Sequence, residues 1–138
     1  MSAELRLYVD GTSRGDPPKG AVSWRLLDSS GEVLIEHAEH IGKVTSHEAK
    51  YRAVILGLSA CQQYAHSRIH CFSDSELMVR EVNGEHPVDD PRLKYLVERV
   101  HRMAEHFKGV VFGHVRPSDA EMVRAARIAL EALGAGPV

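Results

Sequence analysis

A chain of 138 residues, of which 43% are hydrophobic and 26% charged, is long enough to bury the core of one globular domain and too short for two. Its formal net charge of −2 excludes a strong overall attraction to phosphate, so any contact with nucleic acid must depend on local basic groups. No apolar run approaches the roughly 18 residues of a membrane span, and residues 1–4 show no signal-peptide pattern, which predicts a cytoplasmic protein without a membrane partner.

Apolar alternation in the first part of the chain predicts an antiparallel meander of three strands. The strands cover residues 4–10, 20–28 and 32–41, and a turn at residues 29–31 separates the second strand from the third. A long helix is predicted next, because Thr45 and Glu48 have the spacing of an N-terminal capping box. Apolar residues then recur at helical spacing as far as Tyr64.

The second part of the chain alternates strands with helices. The predicted elements are a strand at 68–73, a helix at 75–83, a link rich in Gly, Pro and Asp at 84–91, a helix at 92–107, a strand at 109–115 and a helix at about 118–133. This succession implies right-handed crossovers and parallel strands beside the meander. The predicted architecture is a single α/β domain over residues 1–138, with a five-stranded mixed sheet covered by helices. Cys61 and Cys71 fall within apolar patterns and are predicted to be reduced packing thiols.

Four passages, in order along the chain, resemble type 1 ribonucleases H. Residues 8–21 (YVDGTSRGDPPKGA) look like the first-strand motif of this family, and residues 45–58 (TSHEAKYRAVILGL) resemble its first helix. Residues 72–93 (FSDSELMVREVNGEHPVDDPRL) match its third motif, and residues 113–115 (GHV) resemble the start of its last. The chain is most similar to the short bacterial and archaeal branch, which lacks an inserted basic helix between the second and third helices. The resemblance implies a ribonuclease H-like fold.

The resemblance also implies a reaction and a set of acids. The family hydrolyses the RNA strand of an RNA/DNA hybrid with two Mg²⁺ or Mn²⁺ ions roughly 4 Å apart. Hard divalent cations require oxygen ligands, so four carboxylates from separate segments converge on the two ions. By resemblance, Asp10 is a catalytic residue and a ligand of both ions, and Asp74 completes the coordination of the ion at the leaving group.

The other two acids of the family are replaced in this chain. Thr45 and residues 49–53 fix the register of the first helix, which puts Lys50 at the position of the third acid. The fourth acid is expected about ten residues after His114, where an ungapped count gives Arg124 and a one-residue gap gives Val123. None of these three side chains binds a hard cation.

Three nearby carboxylates are candidate catalytic replacements. Glu48 precedes Lys50 by two residues, or about 200° of helix rotation, so we expect it to point away from the site and to cap the helix with Thr45. Asp119 and Glu121 lie on or just before the first turn of the last helix, where capping and the helix dipole also favour acids. For each carboxylate the alternatives are a metal ligand and a helix cap.

Lys50 leads to a more specific hypothesis. If the fold brings its ammonium near Asp10 and Asp74, a fixed positive charge stands where a metal otherwise sits and offsets the repulsion between the acids. Arg124 strengthens this effect if it faces inward. The alternative is that Lys50 extends into solvent.

Contacts with nucleic acid are expected from loops and strand ends around these acids. The candidate binding residues are Gly11, Thr12, Arg14, Ser46, His47, Glu76 and His114. Ser46 and His47 replace an Asn-Asn pair of the family, and Glu76 replaces an amide and repels phosphate. The basic residues near the site are Arg14, Lys19, Lys43, His47, Lys50 and Arg52. They form either a modest phosphate-binding patch or an ordinary solvated rim.

Three functions follow from these observations. The prediction is a ribonuclease H-like protein that binds RNA/DNA hybrid or other structured nucleic acid, with weak or lost hydrolysis. The first alternative is an active endonuclease that uses Mg²⁺ or Mn²⁺ and recruits Glu48, Asp119 or Glu121. The second alternative is a non-catalytic interaction module that retains only the fold and needs no cofactor. The sequence carries no indication of the oligomeric state.

Overall fold

The computed structural model describes residues 4–136. Residues 1–3 and 137–138 lie outside the described residues. The prediction that the chain begins without a targeting segment falls partly on residues 1–3. The predicted meander is confirmed as β1 (Glu4–Arg14), β2 (Lys19–Leu27) and β3 (Val33–Lys43), paired antiparallel. β1 is four residues longer than predicted, because residues 11–14 continue to pair with residues 19–22 of β2. β2 ends before Asp28, whose carboxylate accepts hydrogen bonds from the backbone of Ser30 and Glu32 and so closes the turn.

The remaining elements follow in the predicted order. They are α1 (Ser46–Ala60), a 3-10 turn (Gln62–Tyr64), β4 (Arg68–Ser73), α2 (Glu76–Val82), α3 (Pro91–Ala104), β5 (Gly109–His114) and α4 (Ala120–Ala135). α1 does not reach Tyr64 as an α-helix, because the Cys61 N–H bonds to the Leu58 carbonyl and the chain tightens into the 3-10 turn. α3 ends at Ala104 rather than residue 107, because a turn follows that buries Phe107. Between α2 and α3 the described chain has no further helix, in agreement with the short branch.

The order of strands in the sheet is β3-β2-β1-β4-β5, with β1, β4 and β5 parallel. The pairing of β1 with β4 runs to Tyr8 and Phe72, and Asp10 and Asp74 each follow two residues later. The two acids therefore lie at the same edge of the sheet, where the carboxyl ends of adjacent parallel strands meet. The predicted five-stranded mixed sheet is confirmed.

Helices cover the two faces of the sheet unequally. One face packs against α1, with α3 behind it, and its core includes Leu7, Val9, Trp24, Tyr51 and Leu58. On the other face α4 lies across β1, β2 and β3, and its core consists of Tyr8, Leu27, Met122 and Ala125. This alternation along β1 is the period of two that a strand buried on both faces requires.

Cys61 and Cys71 are both buried and unpaired, which confirms the prediction of packing thiols. Burial raises the pKa of the Cys61 thiol to about 12, so the group is neutral and unreactive at neutral pH. Within residues 4–136, every helix is too short or too polar to cross a bilayer.

Candidate active site

The site is centred on an ion pair between the end of β1, the end of β4 and the first part of α1. The Lys50 Nζ donates a hydrogen bond of 2.7 Å to Asp10 Oδ1 and one of 3.2 Å to Asp74 Oδ1. Asp10 is buried, and the side chains of Lys50 and Asp74 are only 22% and 18% exposed. The ammonium therefore lies between the two carboxylates rather than extending into solvent.

Burial and charge act in opposite directions on this group. Burial is the largest influence on the pKa of Asp10 and raises it, the charge and hydrogen bond of Lys50 lower it, and Asp74 raises it, so that the pKa lies above its ordinary value. For Lys50 the burial lowers the pKa, but the charges and hydrogen bonds of Asp10 and Asp74 outweigh it and hold the pKa above its ordinary value. Lys50 is thus a stable cation, and with both acids ionised the group carries a net charge of −1.

A glycine allows α1 to approach the end of β1. Gly11 directly follows Asp10, and a Cβ built at this position would lie 2.2 Å from the Ala49 carbonyl oxygen and 2.7 Å from the Lys50 nitrogen. Any side chain at position 11 would separate the helix from the strand. The predicted binding residue Gly11 is buried, and its evident role is to bring the Lys50 and Asp10 backbones together.

Glu48 is held away from this group. The Thr45 hydroxyl accepts a hydrogen bond from the Glu48 N–H at 3.2 Å, so Thr45 caps α1 as predicted. The Glu48 carboxylate is paired with Arg92 of α3 at 3.0 Å instead of closing the capping box. Its direction agrees with the rotation expected from a separation of two residues from Lys50.

Asp119 and Glu121 also have partners of their own. Asp119 is the N-cap of α4 and accepts hydrogen bonds from the Glu121 and Met122 N–H groups at 3.0 and 3.2 Å. Glu121 bonds to the guanidiniums of Arg25 and Arg124. Arg25 is buried and also pairs with Glu36 at 2.8 Å.

The two positions considered for the fourth acid are both exposed residues of α4. Val123 is 42% exposed, and the Arg124 guanidinium extends along the helix to Glu121. The idea that Arg124 faces inward and supports Lys50 is therefore wrong, because α4 turns Met122 and Ala125 toward the sheet instead. The Ser23 hydroxyl fixes this rotation by donating to the Ala125 carbonyl at 2.6 Å.

A second polar cluster was not predicted. The buried carboxylate of Glu81 on α2 accepts a hydrogen bond from the Tyr51 hydroxyl at 2.8 Å, and its Oε1 lies 2.8 Å from Nε2 of His47. Burial, together with Glu81, raises the pKa of Tyr51, so its hydroxyl remains a donor. The sequence does contain a signal for this cluster, because Glu81 is an acid among the apolar residues that α2 buries, next to Val82. Because His47 precedes Lys50 by one helical turn, the cluster fixes an imidazole next to the ion pair.

The other residues predicted to bind nucleic acid lie around the same edge. Ser46 and Glu76 are exposed first residues of α1 and α2, and His114 is the exposed last residue of β5, opposite Ser73. Thr12 is partly buried in β1.

Three exposed cations form a row across the strand ends. Arg14 is opposite Lys19, and Lys19 is opposite Lys43, so one basic residue from each strand of the meander stands beside the next. Like charges directly opposite one another on neighbouring strands repel and destabilise the sheet slightly. A bound anion such as a phosphate would offset this repulsion. We call Arg14, Lys19 and Lys43 the basic row.

The donor set around Asp10 does not fit a pair of divalent cations. Two carboxylates are present where the resemblance implies four, and the Lys50 ammonium is hydrogen-bonded to both of them. Across residues 4–136, no group of three or more His, Cys, Asp or Glu side chains is arranged to hold a metal ion. The chemistry available at this position is that of a fixed cation between two acids.

Comparison with known proteins gives consistent relatives. A family model described as reverse transcriptase-like matches residues 8–127. Ribonuclease HI of Halobacterium salinarum is 32% identical over 129 residues, which are 94% of this chain and 64% of that protein. The bifunctional protein Rv2228c of Mycobacterium tuberculosis is 32% identical over 132 residues, or 94% of this chain and 35% of that protein. The chain thus spans less than two thirds of the length of either relative.

Solved structures agree with the predicted fold. The crystal structure of RNase H1 from Halobacterium salinarum superposes with a TM-score of 0.89 at 31% identity, covering 96% of this chain and 99% of that one. The structure of LC11-RNase H1 in complex with an RNA/DNA hybrid superposes with a TM-score of 0.86 at 26% identity, covering 95% of this chain and 97% of that one. The predicted ribonuclease H-like fold is confirmed.

Proposed function

Because this chain belongs to the reverse transcriptase-like family and has a ribonuclease H-like domain, we propose that it binds RNA/DNA hybrids and hydrolyses them weakly or not at all. The observation that carries the proposal is the contact of Lys50 Nζ with both Asp10 and Asp74, at 2.7 and 3.2 Å. This contact affects the binding of nucleic acid as well as hydrolysis. The Lys50 ammonium neutralises part of the negative charge of Asp10 and Asp74, which would otherwise repel a phosphate backbone.

Loss of hydrolysis follows from the functions of the missing acids. A two-metal mechanism needs one ion to activate water and one to stabilise the leaving oxygen, and both ions need carboxylate ligands. Asp10 and Asp74 already bond to Lys50, while Glu48 is paired with Arg92 and Glu121 with Arg25. Recruiting Glu48 or Glu121 as a ligand would break an existing ion pair, and in the case of Arg25 it would leave a buried cation unpaired.

Binding of hybrid is supported by the relative in complex with an RNA/DNA hybrid and by the basic row of this chain. Residues of β1, β2 and β3 each place one cation at the strand ends beyond Asp10, where they would contact phosphates and position the duplex. His47, held by Glu81 and next to Lys50, would supply a hydrogen-bonding group for a sugar edge.

The test combines a binding assay and a cleavage assay on one RNA/DNA hybrid, with Mg²⁺ or Mn²⁺ and with EDTA. We expect retention of the hybrid in all three conditions and little or no cleavage above that of an Asp10→Asn variant. Rapid, multiple-turnover cleavage that depends on metal and disappears in Asp10→Asn would overturn the catalytic part of the proposal. Failure to bind hybrid, with or without metal, would overturn the binding part and favour an interaction module.

A direct measurement of metal affinity separates the two parts further. Calorimetric titration of the native chain with Mn²⁺ should show no binding that depends on Asp10, because the Lys50 ammonium already occupies the carboxylates. Two tight sites that are lost in Asp10→Asn would contradict this expectation.

A further inference from the structure

A second candidate binding site lies at the opposite end of β1 and β4 from Asp10 and Asp74. It is a cavity of about 340 Å³ bordered by Glu4 and Arg6 of β1, Arg68 and His70 of β4, and Gly109 and Val111 of β5. Asp10 follows Arg6 by four positions along β1, which corresponds to about 13 Å. The cavity is therefore separate from the Lys50 ion pair.

A stack of three rings leads to this cavity along the sheet. The Tyr8 and Phe72 rings are stacked with centroids 5.0 Å apart, and the His70 and Phe72 rings are stacked with centroids 4.0 Å apart. Phe72 covers one face of the imidazole, while His70 itself is exposed and borders the cavity. His70 thus belongs both to the stack of rings and to the border of the cavity, and an imidazole ring has the chemistry to stack on one more planar ring.

Two features of the sheet keep this surface open. α4 covers β1, β2 and β3 on this face, and β4 and β5 lie beyond it. Gly113 of β5 is opposite Phe72, and a Cβ there would lie 2.8 Å from His70 Nε2, so the absence of a side chain leaves room for the two stacked rings. Val111 extends from the same face and is 62% exposed.

The charges around the cavity favour an anionic ligand. Arg6 and Arg68 contribute two guanidiniums and Glu4 one carboxylate. The Arg6 side chain contacts Tyr8, since its Nη1 donates to the Tyr8 hydroxyl at 3.3 Å and its guanidinium lies 6.0 Å from the centroid of the Tyr8 ring. Burial lowers the pKa of His70, so the imidazole is neutral near pH 7 and contributes a stacking surface rather than another charge.

We propose that this cavity binds one nucleotide, with its base stacked on His70 and its phosphate held by Arg6 and Arg68. Guanidiniums match the geometry of phosphate oxygens, and aromatic or imidazole rings stack on bases without regard to sequence. The volume lies at the lower end of the range of small-molecule sites. Glu4 offsets the charge of one of the two guanidiniums and so weakens the attraction of the cavity for a bare phosphate. A nucleotide gains in addition the stacking of its base on His70, so it should bind more tightly than phosphate alone.

The probes are adenosine 5′-monophosphate and adenosine, each titrated into the full chain and followed by backbone amide NMR shifts. We expect shifts at residues 68–70 and 109–111 with both probes, and tighter binding of the monophosphate. Inorganic phosphate alone should bind more weakly than either. The proposal would be overturned if neither millimolar monophosphate nor a short single-stranded oligonucleotide shifted these residues. Shifts confined to the surroundings of Lys50 would overturn it as well.

Three variants assign the roles within the cavity. His70→Ala should weaken both probes at least about fivefold, which corresponds to the loss of one stacking contact. Arg68→Ala should remove most of the difference between monophosphate and adenosine. The matched control is His37→Ala. Like His70, His37 is an exposed histidine of a strand that contacts an aromatic ring, with its centroid 4.9 Å from that of Trp24, but it lies on β3, away from the cavity. It should leave both affinities unchanged, and an equal loss in His37→Ala and His70→Ala would overturn the assignment.

A short single-stranded oligonucleotide distinguishes the two sources of such a ligand. If free nucleotides are the ligand, the monophosphate shifts the residues of the cavity at least as strongly as the oligonucleotide does. If the ligand is an unpaired nucleotide of a strand, the oligonucleotide binds more tightly and still shifts residues 68–70. Because these residues are remote from Asp10, the result is independent of whether hybrid binds beside Lys50.

Discussion

The backbone of Gly11 passes so close to Ala49 that a Cβ at position 11 would lie 2.2 Å from the Ala49 carbonyl oxygen. A Gly11→Ala substitution must therefore push α1 away from β1. We expect a loss of about 1–3 kcal/mol in the free energy of unfolding, measured by urea denaturation. Gly134→Ala is the control, since a Cβ there meets nothing within 4 Å, and it should leave stability unchanged or slightly higher. Equal effects of the two substitutions would contradict the close approach.

Replacing Lys50 by methionine leaves the Asp10 carboxylate buried beside Asp74 without a cation. We expect a loss of about 2–3 kcal/mol at pH 7, less than for a fully buried pair because the Lys50 side chain is 22% exposed. Lys94→Met, on the exposed face of α3, should change stability by less than about 0.5 kcal/mol. The double variant Lys50→Met with Asp10→Asn should recover much of the loss, and simple additivity of the two changes would argue against the pair.

The same variant should also change the dependence of stability on pH. Burial already raises the pKa of Asp10 above its ordinary value of 3.8, and removal of Lys50 raises it further. A carboxyl whose pKa is raised on folding favours the folded state when protonated, and this contribution is lost as the pH rises through the folded pKa. The deficit of Lys50→Met should therefore be smallest below about pH 4. Urea midpoints that differ by the same amount at every pH would exclude this explanation.

Restoring acids should restore metal binding. Lys50→Glu combined with Val123→Asp supplies four carboxylates, so Mn²⁺ binding and cleavage of an RNA/DNA hybrid should appear. Lys50→Glu combined with Arg124→Asp should gain neither, because the side chain at position 124 is turned toward Glu121. The combination that gains activity identifies which residue of α4 occupies the fourth position. Glu48→Gln in the active variant should leave cleavage intact, since Glu48 is paired with Arg92. Dependence on Glu48 would instead favour recruitment of that carboxylate.

The Tyr51 hydroxyl supports the buried Glu81 carboxylate. Tyr51→Phe removes the hydrogen bond of 2.8 Å and leaves that carboxylate with the His47 contact, so we expect a loss of about 1–2 kcal/mol in chemical denaturation. Tyr95→Phe makes the same chemical change at a residue that is 56% exposed. It should be close to neutral, and a comparable loss at both positions would mean that the buried contact contributes little.

Lys19 stands between Arg14 and Lys43, so its removal should affect the free and bound protein in opposite ways. Lys19→Thr should raise the stability of the free chain by about 0.2–1 kcal/mol, because cross-strand repulsion is relieved. It should weaken hybrid binding and reduce the slope of log affinity against log salt by roughly 1. Lys94→Ala serves as the control and should leave the salt slope of hybrid binding unchanged. If Lys19→Thr also left this slope unchanged, the basic row would be excluded from the interface with the hybrid.

The ion pair of Lys50 with Asp10 and Asp74 could be predicted because it depends on local register and on a general property of parallel sheets. The capping residue Thr45 fixes the rotation of α1, and the carboxyl ends of adjacent parallel strands meet at one edge. The same kind of argument located the strand and helix cores to within a few residues. Only the ends of elements differed, where turns and caps decide the boundary.

The partners of the other acids could not be predicted, because they depend on how distant elements pack. Glu48 meets Arg92 across 44 residues of chain, and Glu121 meets Arg25 across 96. No periodicity within α1 or α4 encodes such contacts, since they are set by the position of α3 beside α1 and of α4 across β2. The rotation of α4, which turns Arg124 outward, likewise depends on the tertiary hydrogen bond from Ser23 to Ala125.

The cation between the two acids is part of the polypeptide, and this sets it apart from any dissolved ion. Chelating agents have nothing to withdraw from that position, and fluctuations in the mineral content of the surroundings leave its occupancy unaltered. Neutralisation of the paired acids is instead coupled to the docking of one helix on one strand. Melting of that helix and disassembly of the centre are accordingly a single event.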